Sequence, residues 1–100
     1  MKLKIIWTIK AENDLNSIFE KVKEMTLSEN LAQNAVNEIF ETSTNMHFTE
    51  QFQVDEFLGK PYRRIIVRNY KVIYISTNEK EILILHIFNT SQSPSKLLRE

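Results

Sequence analysis

The residues best suited to chemistry lie in one basic and aromatic segment of the chain. No acidic residue occurs from Lys60 to Ile75, yet this segment holds five of the thirteen basic residues. They are Lys60, Arg63, Arg64, Arg68 and Lys71, and Tyr70 and Tyr74 lie among them. Lysine and arginine neutralise phosphates, and aromatic rings stack on unpaired bases. The segment therefore suits an anionic partner such as single-stranded nucleic acid.

A second interpretation gives the same residues a structural role. Strand alternation places Arg64 and Arg68 on one face and Arg63 on the other, so the arginines cannot form one patch. Tyr70 and Tyr74 have high β propensity and suit half-buried strand positions. The arginines would then be solvated at an edge or would pair with acidic helices. Without a family likeness, the residues favour this structural interpretation.

The remaining composition excludes several classes of site. The chain has no cysteine, which excludes disulfides, thiol catalysis and thiolate metal sites. Two histidines, His47 and His86, are too few to favour zinc, and we expect neither metal nor cofactor. Imidazole titrates near neutrality, which makes His86 a candidate general base. Alternation nevertheless places it on one face with Ile82 and Ile84, as a core or sheet-edge residue.

Charge is distributed unevenly although the formal net charge is zero. Residues 11–57 contain ten acidic residues against two lysines, a net charge of minus eight. No apolar run reaches the roughly 20 residues that span a bilayer. The N-terminus turns polar at Thr8 and Lys10, too early for a signal peptide. We expect a cytoplasmic protein without a membrane partner.

Hydrophobic periodicity predicts a single domain over residues 1–100. Residues 3–9 alternate like a strand, and two amphipathic helices follow, the first with an apolar stripe that ends at Met25. Thr26 and Ser28 compete to cap the second helix. The helices should form an antiparallel hairpin that covers one face of a sheet.

Three more strands complete the predicted fold. A loop that closes with Gly59 leads to strands at about residues 62–68, 70–76 and 81–88, joined by tight turns and therefore antiparallel. Ser93 and Pro94 could begin a short terminal helix. The prediction is an α+β fold of order β-α-α-β-β-β, with the helical hairpin packed on a mostly antiparallel four-stranded sheet.

Three motifs in this order resemble the RelE/ParE family of bacterial toxins. They are Leu58-Gly59-Lys60-Pro61-Tyr62-Arg63-Arg64, Tyr70-Lys71-Val72-Ile73-Tyr74 and Ile82-Leu83-Ile84-Leu85-His86-Ile87-Phe88. With the leading strand and the helical hairpin, the likeness covers nearly the whole chain. It implies the toxin of a type II toxin-antitoxin system, neutralised by a cognate antitoxin protein in a hetero-oligomer.

The resemblance implies two different activities. Members of the RelE branch cut ribosome-bound mRNA as metal-independent endoribonucleases, whereas ParE members poison DNA gyrase. Arg63 matches the first of the family's paired basic residues, but the second falls near Ile65. Lys71 replaces an arginine, and Ser91 stands where many relatives have one. These departures weaken the RNase interpretation.

We therefore expect growth inhibition by ParE-like binding to DNA gyrase. RelE-like mRNA cleavage and a non-toxic interaction module of the same fold are the alternatives, so enzymatic activity stays open. If the chain is an enzyme, its candidate catalytic residues are Arg63, Lys71 and His86. The candidates for contact with the target, a phosphate or an acidic antitoxin are Lys60, Arg63, Arg64, Arg68, Lys71 and Tyr74.

Overall fold

A computed structural model describes residues 3–90 and contains six elements in the predicted order. They are β1 (Lys4–Trp7), α1 (Ile9–Thr26), α2 (Glu29–Thr44), β2 (Arg63–Val67), β3 (Tyr70–Asn78) and β4 (Glu81–Asn89). The strands lie in the order β1-β4-β3-β2, with β1 parallel to β4 and the other pairs antiparallel. The α+β prediction is confirmed. The helix expected from Ser93 lies outside the described residues, among which no helix is long and apolar enough to cross a membrane.

Thr8 marks the change from strand to helix. Its hydroxyl oxygen accepts a hydrogen bond from the Ala11 amide at 3.2 Å, which caps α1. The same hydroxyl donates to the carbonyl of Ile84 in β4 at 2.9 Å. Because Thr8 is the cap, β1 ends and α1 begins two residues earlier than the periodicity predicted. Ile9, expected to end the strand, lies in the first turn of α1 and is exposed.

A two-residue turn joins the helices. Ser28 is the cap of α2, because its hydroxyl oxygen accepts from the Leu31 amide at 3.2 Å. Thr26, the competing candidate, instead donates its hydroxyl to the Val22 carbonyl at 2.7 Å. Leu27 between them has a left-handed backbone with φ of 58°. Glycine is the usual residue in this conformation, since a side chain there costs about 1 kcal/mol.

The core lies between the helical hairpin and one face of the sheet, called here the inner face. Its buried members are Ala11, Ile18, Ile39, Met46, Ile65, Val67, Val72, Tyr74, Ile82, Ile84 and Ile87. Ala32 and Ala35 are also buried, at positions where small side chains permit close helix packing. The part of α1 that packs on this core ends at Val22. Met25, predicted on the same stripe, is therefore 75% exposed.

A bulge in β4 changes which residues face the core. Tyr74 of β3 is opposite Ile84, whereas the preceding Ile73 is opposite His86, so Leu85 is an extra residue. The extra residue reverses the alternation after Ile84. His86 consequently lies on the other face of the sheet, called here the outer face, and the prediction that it shares a face with Ile82 and Ile84 was wrong.

Residues 45–62, called here the crossing loop, wrap around the free edge of β2. Phe52 packs on the core from the inner face. Val54 forms an isolated antiparallel bridge with Arg63 at the edge itself. Asp55 then lies on the outer face, where it meets Lys71. The loop thus clasps the edge strand from both sides.

Replacing Leu27 with glycine should raise the free energy of unfolding by about 0.5 kcal/mol. Relief of the left-handed strain exceeds the extra freedom that glycine gives the unfolded chain. Urea denaturation followed by circular dichroism measures the change. Leu27→Ala keeps the Cβ and should bring no gain. A Leu27→Gly variant less stable than the wild type would contradict the strained turn.

Candidate functional site

The predicted basic residues do not gather into one open patch. Arg63 lies on the inner face of β2 and Arg64 on its outer face, as the alternation predicted. Lys71 is on the outer face of β3, and Arg68 occupies the turn between the strands. Lys60 is exposed in the crossing loop. The five basic side chains are thus distributed over both faces of the β2–β3 pair, the turn between these strands and the crossing loop.

The guanidinium groups of β2 bind the crossing loop. Arg63 donates from Nη1 to the Phe52 carbonyl at 2.7 Å. Arg64 donates from Nη1 to the Val54 carbonyl at 3.2 Å and from Nη2 to the Gln53 side chain at 3.3 Å. Its backbone amide also donates to the Gln53 carbonyl at 3.0 Å. Both arginines therefore hold the loop against the edge of the sheet.

Lys71 forms a buried ion pair with Asp55. Lys71 Nζ lies 2.9 Å from Asp55 Oδ1, and their side chains are 9% and 1% exposed. The ammonium also lies 5.0 Å from the centre of the Phe57 ring and 5.8 Å from that of Phe88. The carboxylate balances the charge of this ammonium, and the two rings lie against it. In this conformation the ammonium is therefore not accessible to a phosphate.

Asp55 is held as a carboxylate by its surroundings. Its Oδ2 accepts hydrogen bonds from the amides of Leu58 at 2.9 Å and Phe57 at 3.1 Å. Burial alone would raise the pKa of Asp55. The hydrogen bond and charge of Lys71, together with the two amides, outweigh burial and hold that pKa below its ordinary value. The charged pair is thus the stable form of this site.

Tyr74, a predicted contact residue, lies inside the core. Its hydroxyl donates to the Thr49 carbonyl at 3.0 Å and accepts from the Phe52 amide at 3.4 Å. The Phe52 ring meets it edge to face at 6.4 Å. Burial raises the pKa of Tyr74. With 0% of the residue exposed, its ring presents no surface on which a base could stack.

Arg68 bears out the alternative in which arginines pair with the acidic helices. Its Nε lies 2.8 Å from Glu38 Oε1 of α2, and both side chains are about half exposed. A pair this open contributes little to stability, about 0.2–1 kcal/mol. Ser91, the remaining position of the family comparison, lies outside the described residues.

His86 is joined to an aspartate that the sequence reasoning did not select. Its Nδ1 lies 2.6 Å from Asp14 Oδ2, which also accepts the Ile87 amide at 2.8 Å. Lys10 Nζ lies 3.1 Å from the other oxygen of Asp14. Burial would raise the pKa of Asp14, but His86, the Ile87 amide and Lys10 together lower it. His86 thus has a hydrogen-bonding partner in α1, as expected for the core or sheet-edge residue that the sequence predicted.

A cavity of about 210 Å³ adjoins this pair, between α1 and the end of β4. Its polar lining includes Lys10, Asp14, Ser17, Lys21 and His86. Asp14 and Asp55 were both missed by the sequence reasoning, for different reasons. Asp14 is one position from the apolar stripe of α1, a weak signal, whereas Asp55 lies in a loop without any period. Neither residue reveals its buried partner before the chain folds.

Replacing Asp55 with asparagine should lower the free energy of unfolding by about 3 kcal/mol. The substitution leaves the enclosed charge of Lys71 without its partner. Adding Lys71→Met removes that charge and should recover much of the loss, which a double-mutant cycle in urea measures. The exposed pair of Arg68 supplies the control, because Glu38→Gln should cost less than about 1 kcal/mol. Equal costs for the two single variants would contradict the buried ion pair.

Known proteins share this architecture. Residues 5–94 match the family model described as ParE toxin of type II toxin-antitoxin system, parDE. A solved structure described as "Chromosomal ParDE TA system from P. aeruginosa" is similar with a TM-score of 0.70 and 22% identity, over 87% of this chain and 95% of that chain. At this identity the structural likeness supports the fold alone. No curated protein matches the chain. The family match covers most of its length, and the chain belongs to the ParE toxin family of type II toxin-antitoxin systems.

Proposed function

We propose that this chain stops bacterial growth by binding DNA gyrase and that a cognate antitoxin neutralises it. Family membership supports the toxin role. Gyrase is the proposed target because members of the ParE branch poison this enzyme. The carrying observation is the Lys71–Asp55 ion pair at 2.9 Å. RNA cleavage would need cations free to stabilise charge on a phosphate. Here the charge of Lys71 is balanced by Asp55, and Arg63 donates to the Phe52 carbonyl. Because neither cation is free to bind a phosphate, this arrangement supports inhibition by binding over RNA cleavage.

Expression of the chain without antitoxin should arrest growth, and the purified protein should inhibit supercoiling by gyrase. Primer extension on translated messages provides the parallel test, and it should find them intact. Co-expression of the antitoxin should restore growth. Codon-positioned cuts in mRNA would overturn the gyrase proposal. Unaffected cells would instead support the non-toxic module.

The uncovered end of β2 offers the antitoxin a place to add a strand. The Arg64 amide points outward, to the Gln53 carbonyl of the crossing loop. Because backbone direction alternates along a strand, the amide and carbonyl of Ile66 point outward too, beyond the bridge formed by Val54. Ile66 itself is 52% exposed. Strand addition uses such edges, and apolar side chains then supply specificity.

Ile66→Lys should weaken antitoxin binding at least about tenfold, since edge lysines oppose strand addition. Calorimetric titration with the purified antitoxin measures this change, and supercoiling assays should show unaltered inhibition of gyrase. Ile9→Lys is the matched control, because Ile9 is even more exposed, at 77%, and follows β1, which lies at the opposite edge of the sheet from β2. Unchanged antitoxin affinity in Ile66→Lys would place the antitoxin elsewhere.

A further inference from the structure

The turn of the helical hairpin exposes an apolar side chain where the backbone disfavours one. Leu27 ends α1 in the left-handed conformation and is 90% exposed. Its amide donates to the Lys23 carbonyl at 2.8 Å, but any residue except proline supplies that amide. Neither the turn nor the core therefore accounts for a leucine here. Unfavourable conformations retained at the surface point towards a functional use.

Leu27 has apolar neighbours in sequence that the core also leaves exposed. Met25 is 75% exposed and Leu31 is 51% exposed, on either side of the turn. Residues 25–31, called here the hairpin tip, thus present three large apolar side chains within seven positions. A hollow of about 490 Å³ adjoins Leu27. Met25 lines a separate hollow beside Arg68 and Tyr70, so Leu27 is the apolar side chain that this hollow offers to a partner.

The rim of the hollow is acidic. Besides Leu27 it is lined by Glu20, Glu24, Glu29 and Lys23. Lys23 Nζ lies 3.3 Å from Glu29 Oε1, so this pair is internally balanced. Glu20 and Glu24 remain as the charges that set the sign of the rim. A partner complementary to this surface must offer an apolar pocket bordered by lysine or arginine.

Proteins that act on DNA carry surfaces rich in lysine and arginine, because they must neutralise phosphates. Such a surface has the positive charge that complements the acidic rim. We infer that the hairpin tip, with Leu27 as its apolar anchor and Glu20 and Glu24 beside it, docks on a basic DNA-binding surface of the toxin's protein target. The inference rests on the proposed function, in which that target is gyrase. It assigns target contact to the acidic helices, and it leaves the basic strands to hold the crossing loop.

Leu27→Gly separates docking from folding, because glycine suits the left-handed turn and removes only the anchor. The wild type should inhibit gyrase supercoiling. Leu27→Gly should need at least about tenfold more protein for half-inhibition, as expected for an interface anchor. Its urea midpoint should equal or exceed that of the wild type. Ile9→Ala, which truncates another exposed apolar residue of α1, should stay within about twofold of the wild type.

Charge is tested in the same assay. Glu20→Lys combined with Glu24→Lys should weaken inhibition at least about tenfold and change its dependence on salt. Glu41→Lys combined with Glu50→Lys changes net charge equally at exposed sites outside the tip, and it should have a smaller effect. Equal effects of the two double variants would show that only total charge matters, which would overturn the docking site.

Other results identify different occupants of the tip. Full inhibition by Leu27→Gly would overturn the inference while the gyrase proposal stands. Full inhibition combined with lost antitoxin binding, or with loss of a wild-type dimer in sedimentation, would assign the tip to the antitoxin or to a second copy. A wild type that leaves supercoiling unaffected would overturn both the proposed function and this inference.

Discussion

The ion pair between Lys71 and Asp55 is the constraint on which the rest of this structure depends. It fixes the crossing loop to the outer face of the sheet, while Phe52 and Tyr74 fix it to the inner face. Two charges removed from water do not by themselves stabilise a fold. The contribution of this pair is that it fixes the position of the loop. They require the loop to pass around β2 at one place. The direction of both arginines in β2 follows from that path.

Much of the fold was accessible from the sequence because it rests on local rules. Apolar periods predicted both helices and all four strands, and Ser28 was among the predicted caps. The errors fall where a distant contact overrides a local pattern. Thr8 ends β1 early because it reaches β4, and the extra Leu85 reverses the face of His86. A bulge leaves no signal in the composition, since it arises from the register in which two strands pair.

The candidate site was harder to predict from the sequence, because distant contacts determine it too. A run of cations without acids predicted an anion site, because nearby acids in the sequence were the only partners that could be considered. The actual partner of Lys71 is Asp55, sixteen positions away in a loop without periodicity. Arg63 and Arg64 donate to loop carbonyls and to the side-chain oxygen of Gln53, which no charge pattern can indicate. The sequence singled out this segment but could not determine whether its charges were free.

The path of the crossing loop has a consequence for the fate of the protein in a crowded solution. An uncovered edge strand is a template on which further copies can assemble into fibres. The bridge from Val54 occupies the first part of the β2 edge, and Asp14 accepts the amide of Ile87 where β4 runs past the end of β1. These contacts reduce the number of free backbone groups on which another copy could add a strand.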